Sequence, residues 1–185
     1  AFGWETWAAF LHHLPVTGAM GTIGAVPWGT MPSPYVFALA LGAPVPAATG
    51  LQAAAALFAA FCVWRAWRRK GAAFEAKAAT LLAASLLISP YLFYYDLLWA
   101  ALAVAWLALL GLKTGFARGE REILFFAWLA PAVMPSVFAL VPLQLGFPAV
   151  LMLLVAAYRR ATDAAGAPRL ARPPLAAPPQ VADLR

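Results

Sequence analysis

The sequence predicts an all-α, polytopic α-helical membrane protein with about five transmembrane helices plus interfacial helices. Three observations point there. The chain is 64% hydrophobic and only 11% charged, with a mean hydropathy of +0.80. A water-soluble domain of 185 residues could neither bury nor expose that much apolar surface. The charges come in clusters separated by apolar intervals about one bilayer thick. Those clusters are dominated by Arg and Lys, the bias found in loops on the cytoplasmic side of membranes.

Residues 1–45 read as an outer-side segment of interfacial loops and short helices. They contain Trp4, Trp7, Trp28, His12, His13 and many Gly and Pro, and Glu5 is their one charge. Trp4, Trp7, Phe10, Leu11 and Leu14 follow helical spacing, whereas Tyr35 to Leu41 is too short to span. The chain opens on Ala1 within this Trp-rich stretch, and it is expected to be a piece of a longer protein.

Residues 46–158 read as the transmembrane bundle. Pro46 to Trp64 supplies a first crossing ending at Arg65, where a basic loop with Arg68, Arg69 and Lys70 runs to Lys77, offset by Glu75. Asp96 lies 19 residues after Lys77 and 17 before Lys113. A helix rises about 1.5 Å per residue and the hydrocarbon core is about 30 Å thick, so each gap is about one crossing. Asp96 therefore belongs at the tip of a hairpin, on the face opposite the basic loops.

Lys113, Arg118 and Arg121 form the second basic loop, and no charge appears from Ile123 to Tyr158. That interval holds two more crossings. The first, to about Val141, carries Pro131 and Pro135, which predict a kink that neighbouring helices can tolerate. Leu143 to Gly146 reads as a turn, and the last run ends at Arg159 and Arg160. All three basic clusters share one side, cytoplasmic by the positive-inside rule. Residues 159–185, rich in Ala and Pro, read as a disordered cytoplasmic tail.

The apolar background argues against nucleic-acid binding despite the formal charge of +6. Cys62 has no second cysteine to pair with, and no phosphate loop, dinucleotide fingerprint, nucleophile elbow or metal-ligand cluster is present. No metal or cofactor is expected. Adjacent histidines point about 100° apart on a helix, so His12 and His13 do not form the i, i+4 chelate of a zinc site. His13 could instead contact a phosphate or a sugar hydroxyl. The arginines and lysines of the loops read as topology determinants.

The stretch Ser89-Pro90-Tyr91-Leu92-Phe93-Tyr94-Tyr95-Asp96 carries the most chemistry. A carboxylate between two membrane helices must reach water, a cation or hydrogen-bond donors, and such groups are often functional. Asp96 can equally serve as the cap of the helix that follows. Tyr91, Tyr94 and Tyr95 could stack on a sugar ring or sit in an interfacial aromatic belt.

The order Trp4, Trp7, Phe10-Leu11 and Leu14-Pro15, then Met31-Pro32-Ser33, Phe37 and Leu41-Gly42, then Leu51-Gln52, then Ser89-Pro90-Tyr91 and Tyr95-Asp96-Leu97, resembles the C-terminal half of bacterial glycosyltransferase family 87. The resemblance covers about Trp4 to Tyr158. It implies a C-type glycosyltransferase fold in the bacterial inner membrane and transfer of a hexose, mannose foremost, from a polyprenyl-phosphate sugar to a lipid or glycan acceptor. It also implies that the acidic catalytic residue lies upstream of Ala1, leaving this piece inactive alone. The substrate-binding residues it implies here are Tyr91, Tyr95, Asp96, His13 and Ser33. Two positions depart from the family pattern: Tyr94 stands where relatives often have an acidic residue and Leu39 where they often have a basic one. The alternative is a segment of a transporter or flippase, with Asp96 binding a cation or proton.

Overall fold

In the computed structural model, which describes residues 3–22 and 27–163, the first predicted crossing forms the longest of the described helices. Helix α1 is Trp4–Thr22, α2 Pro34–Ala40 and α3 Val45–Arg68. Helix α4 is Phe74–Ile88, α5 Leu98–Thr114, α6 Glu120–Leu140 and α7 Gly146–Thr162. Short 3-10 turns at Trp28–Thr30 and Tyr94–Leu97 precede α2 and α5. Tyr35 to Leu41 forms a short helix as its length predicts. The Trp4, Trp7, Phe10 and Leu11 side chains are exposed on α1.

Helices α3 and α4 make an antiparallel hairpin whose seam is built from small side chains. On α3 the buried positions Ala55, Ala59, Cys62 and Ala66 recur at steps of three and four. On α4 the buried set is Ala76, Ala79, Thr80, Ala83, Ala84, Leu86 and Leu87. Small residues at this spacing let two backbones approach closely, which is how helices pack when lipid supplies no hydrophobic drive between them. Thr80 returns its hydroxyl to the Ala76 carbonyl at 2.7 Å, satisfying it within the helix. Helix α4 also packs against α5 and α7, so it is the centre of the bundle.

Two ion pairs define one end of the molecule. Lys113 in the last turn of α5 reaches Glu75 in the first turn of α4 at 2.7 Å. Arg160 in the last turn of α7 pairs with Glu120, the first residue of α6. The loops 69–73 and 115–119 and the end of α7 therefore lie together, as the spacing of the basic clusters predicts. At the opposite end, Gln144 donates to the Met31 carbonyl, and Gly146 lies against Pro32 and Met134 with no room for a Cβ. Gly29 lies in the same way under the Phe138 ring. The loop before α2 is thereby fixed to the α6–α7 connection.

The bundle faces a nonaqueous solvent. Leu57, Phe125, Trp128, Leu112 and Leu98 are exposed at 62% or more, and no water-soluble surface presents such residues in quantity. Buried side-chain nitrogen and oxygen atoms of the described residues all have hydrogen-bond partners, the condition that lipid imposes. Helix α3, the segment Tyr94–Thr114 and α6 are long and apolar enough to cross a membrane. The sequence predicts five crossings; α4 and α7, at 15 and 17 residues, rise only about 22 and 26 Å. Three of the described helices thus reach the length of a crossing, and α4 and α7 are the enclosed helices of the bundle, packed against their neighbours.

Boundaries shift at the ends of the apolar runs. Helix α3 continues past Arg65 to Arg68, because basic residues in a last turn favour the helix dipole and can extend out of the apolar zone. The Arg68 guanidinium lies 5.3 Å from the Trp64 ring centroid. Helix α6 runs unbroken through Pro131 and Pro135. Helix α7 continues through Arg159 and Arg160 to Thr162, beyond the predicted start of the tail; the disorder predicted for 164–185 lies outside the described residues.

Candidate functional site

At the end away from the ion pairs, α4 stops at Ile88 because Pro90 cannot continue it and biases Ser89 toward extended backbone. Ser89 accepts from the Tyr91 N–H at 3.2 Å, closing a local turn. Gln52, buried on α3, donates its amide to the Leu87 and Ile88 carbonyls at 3.0 Å each and accepts from the Tyr35 N–H at 3.3 Å. One side chain thus satisfies the last carbonyls of α4 and ties α2, α3 and α4 together.

After Phe93 the chain tightens into the 3-10 turn that leads into α5. Asp96 Oδ2 accepts from the Phe93 N–H at 2.9 Å, and the Asp96 N–H donates to the Phe93 carbonyl at 3.0 Å. The expected cap of the following helix is not formed, since α5 has Leu97 at its N-cap with no side-chain bond; Asp96 instead reaches back from the third position of the 3-10 turn and caps the start of that turn. It uses one carboxylate oxygen; Asp96 is partly exposed, and Oδ1 has no hydrogen bond among the described residues. The Phe93 and Tyr95 rings stack with centroids 5.4 Å apart, and the Tyr94 ring meets Tyr95 edge-on at 5.7 Å. Tyr91, Tyr94 and Tyr95 are all exposed, Tyr95 the most at 61%.

A groove of about 300 Å³ opens beside this turn, between the start of α5 and the middle of α6. Tyr94 and Tyr95 stand at its mouth, and Leu97, Leu98, Ala101, Ala127, Trp128 and Pro131 form its walls. Its chemistry is that of a long apolar chain with a polar end at the tyrosines.

The other predicted site residues are placed differently. Ser33 is fully buried, and its hydroxyl caps α2 by accepting from the Val36 N–H at 3.2 Å, with Pro34 at the first helical position. His13 is exposed on α1, its ring edge-on to that of His12 at 5.6 Å. Tyr35, which sequence reasoning leaves out of the site, lies near Tyr91; burial first, and that neighbour second, push its phenol above the ordinary value of 10.0. Leu39 is buried with Ala38 and Ala48 in an apolar cluster. Among the described residues no group of His, Cys, Asp and Glu could hold a metal.

The sequence model of glycosyltransferase family 87 matches residues 1–90. Over these residues, a little under half of the chain, the sequence is similar to glycosyltransferase family 87. Comparison with curated proteins and with solved structures finds no match. The family match covers α1 to α4, with His13, Ser33, Tyr35 and Gln52, and ends one residue before Tyr91. It is shorter than the Trp4-to-Tyr158 range of the sequence resemblance. The match indicates a glycosyltransferase of a membrane family, a class that acts between a sugar donor and an acceptor, and it does not favour the transporter reading. For family 87 the bundle supplies a support: Gln52, inside the matched region, holds the end of α4 from which the Tyr91–Asp96 turn departs.

Proposed function

We propose that this chain forms the membrane-side part of a hexosyltransferase site, taking mannose or a related hexose from a polyprenyl-phosphate carrier to a lipid or glycan acceptor. The observation that supports it best is the apolar groove ending at Tyr94 and Tyr95, one residue before Asp96. A polyprenyl tail entering sideways from the bilayer would lie along Leu98, Ala101 and Trp128, leaving its sugar at the turn. There Asp96 Oδ1 would accept from sugar hydroxyls, and the exposed face of Tyr95 or Tyr91 would hold the ring.

The reaction forms a bond from the acceptor oxygen to the sugar's anomeric carbon and breaks the bond from that carbon to the carrier phosphate. A base must take the acceptor's proton, and the phosphate leaves with the bonding electrons. Residues 1–64 contain no Arg or Lys, so this chain offers the phosphate backbone N–H groups rather than side-chain cations on that side. The base, and any cation for the phosphate, belong to the segment upstream. In this arrangement Ser33 acts through the α2 cap, whereas His13, exposed on α1, would meet a hydroxyl or phosphate at the interface. Arg65 to Arg160 face the cytoplasm of a bacterial inner membrane and the Asp96 turn faces out.

A donor comparison tests the proposal. Membranes containing the full-length protein are expected to transfer radiolabelled hexose from a polyprenyl-phosphate sugar and not from the matching nucleotide sugar once the carrier is removed. Transfer from the nucleotide sugar alone would refute it.

A further inference from the structure

We propose that the groove between the first turns of α6 and the last turns of α7 binds the phosphate headgroup of an anionic phospholipid. The cavity is about 210 Å³ and lies at the basic end of the bundle, away from the Asp96 turn. Its floor is the Glu120–Arg160 pair, whose charges cancel. What remains at the rim is Arg118, Arg159 and Asp163. Both arginines are exposed and make no ion pair among the described residues. The rim is therefore net positive, with two guanidinium forks able to grip one phosphate.

The walls decide between a lipid and a free anion. Ile123 on α6, and Val155 and Ala156 on α7, line the side of the cavity that leads away from the rim into the apolar part of both helices. Arg159 marks where the uncharged run of α7 ends, which is where lipid phosphates lie if these helices cross a bilayer. A ligand that satisfies both halves has an anionic head and an apolar tail, and basic pockets between membrane helices on the positive side suit such headgroups. The proposal rests on the membrane-crossing reading and not on sugar transfer.

Binding can be read by native mass spectrometry of the full chain in detergent, titrated with phosphatidylglycerol or with phosphatidylcholine of the same acyl chains. Phosphatidylglycerol is expected to bind about tenfold more tightly. The Arg118→Gln/Arg159→Gln double variant should lose that preference, each single variant should lose part of it, and Arg69→Ala/Lys70→Ala should keep it. Millimolar inorganic phosphate should not displace the lipid. Equal binding of the two lipids, a preference that survives the double variant, equal loss in the Arg69/Lys70 variant, or displacement by inorganic phosphate would each overturn the proposal. Because neither rim arginine makes an ion pair in the bundle, the variants should elute and melt as the parent does.

Discussion

Changing Asp96 to Asn in the full-length protein is expected to lower hexose transfer by roughly tenfold to a hundredfold while leaving expression and melting temperature unchanged. The two effects separate because the bond to Phe93 and the proposed sugar contact use different oxygens of the carboxylate. The cap needs only an oxygen that accepts from the Phe93 N–H, and the Asn amide oxygen supplies one. Sugar hydroxyls bound by Oδ1 would lose a charge-assisted hydrogen bond for a neutral one or for a repelled N–H. Hydrogen bonds to charged groups contribute about 1.5 to 3 kcal/mol, and about 1.4 kcal/mol is a factor of ten in rate. Asp96→Ala should lower both transfer and stability, because it removes the cap as well. Full transfer by the Asn variant would take Asp96 out of the site and leave it a structural cap.

Removing Glu120 is expected to have the largest effect on stability. Its side chain is 3% exposed and bonds Arg160 Nε at 2.8 Å, Arg160 Nη2, and the Ala117 N–H at 2.7 Å. Arg160 also donates to the Gly115 carbonyl and to Thr114 Oγ1. The pair therefore closes the end of the bundle across α5, α6 and α7. Glu120→Ala would leave the Arg160 guanidinium only partly satisfied in a poorly solvated place, which costs about 3 kcal/mol. The double variant Glu120→Gln/Arg160→Met should recover much of that loss, since it leaves no unpaired charge. Unfolding in a mild detergent, followed by the Trp fluorescence of the chain, checks both.

The hairpin architecture was legible because charge is a depth marker in lipid. Lys77, Asp96 and Lys113 alone place α4, the turn and α5, and the structure puts Glu75 beside Lys113 as that spacing requires. Asp96 is legible too, as a lone carboxylate between apolar runs, but the bond it makes runs back to Phe93 rather than forward to the helix it was expected to cap, because the chain tightens into a 3-10 turn first. Gln52 enters the sequence reading only within the Leu51-Gln52 motif of the resemblance, with no structural role, and Gln144 does not enter it. Uncharged amides barely disturb a hydropathy pattern, yet each satisfies backbone groups in two directions. A Gln within an apolar run is the signal that could have found them. Ser33 was singled out for a motif, while its local sequence, Ser followed by Pro, already described a helix cap. The enclosure of α4 and α7 could not be read from hydropathy, because an alanine run is equally apolar whether it faces lipid or another helix. Nor could Tyr35 be found, since its nearness to Tyr91 depends on how α2 folds back against α3.

Compartment-specific labelling addresses the membrane arrangement itself. Single cysteines at the exposed positions Lys70 and Tyr95, in a Cys62→Ala background, are treated with a membrane-impermeant maleimide before and after permeabilisation. Position 95 should react in intact spheroplasts and position 70 only once the membrane is opened. Reaction of both from one compartment would mean that no bilayer separates the tyrosine-aspartate turn from the arginine loops, and the donor site would lose its place.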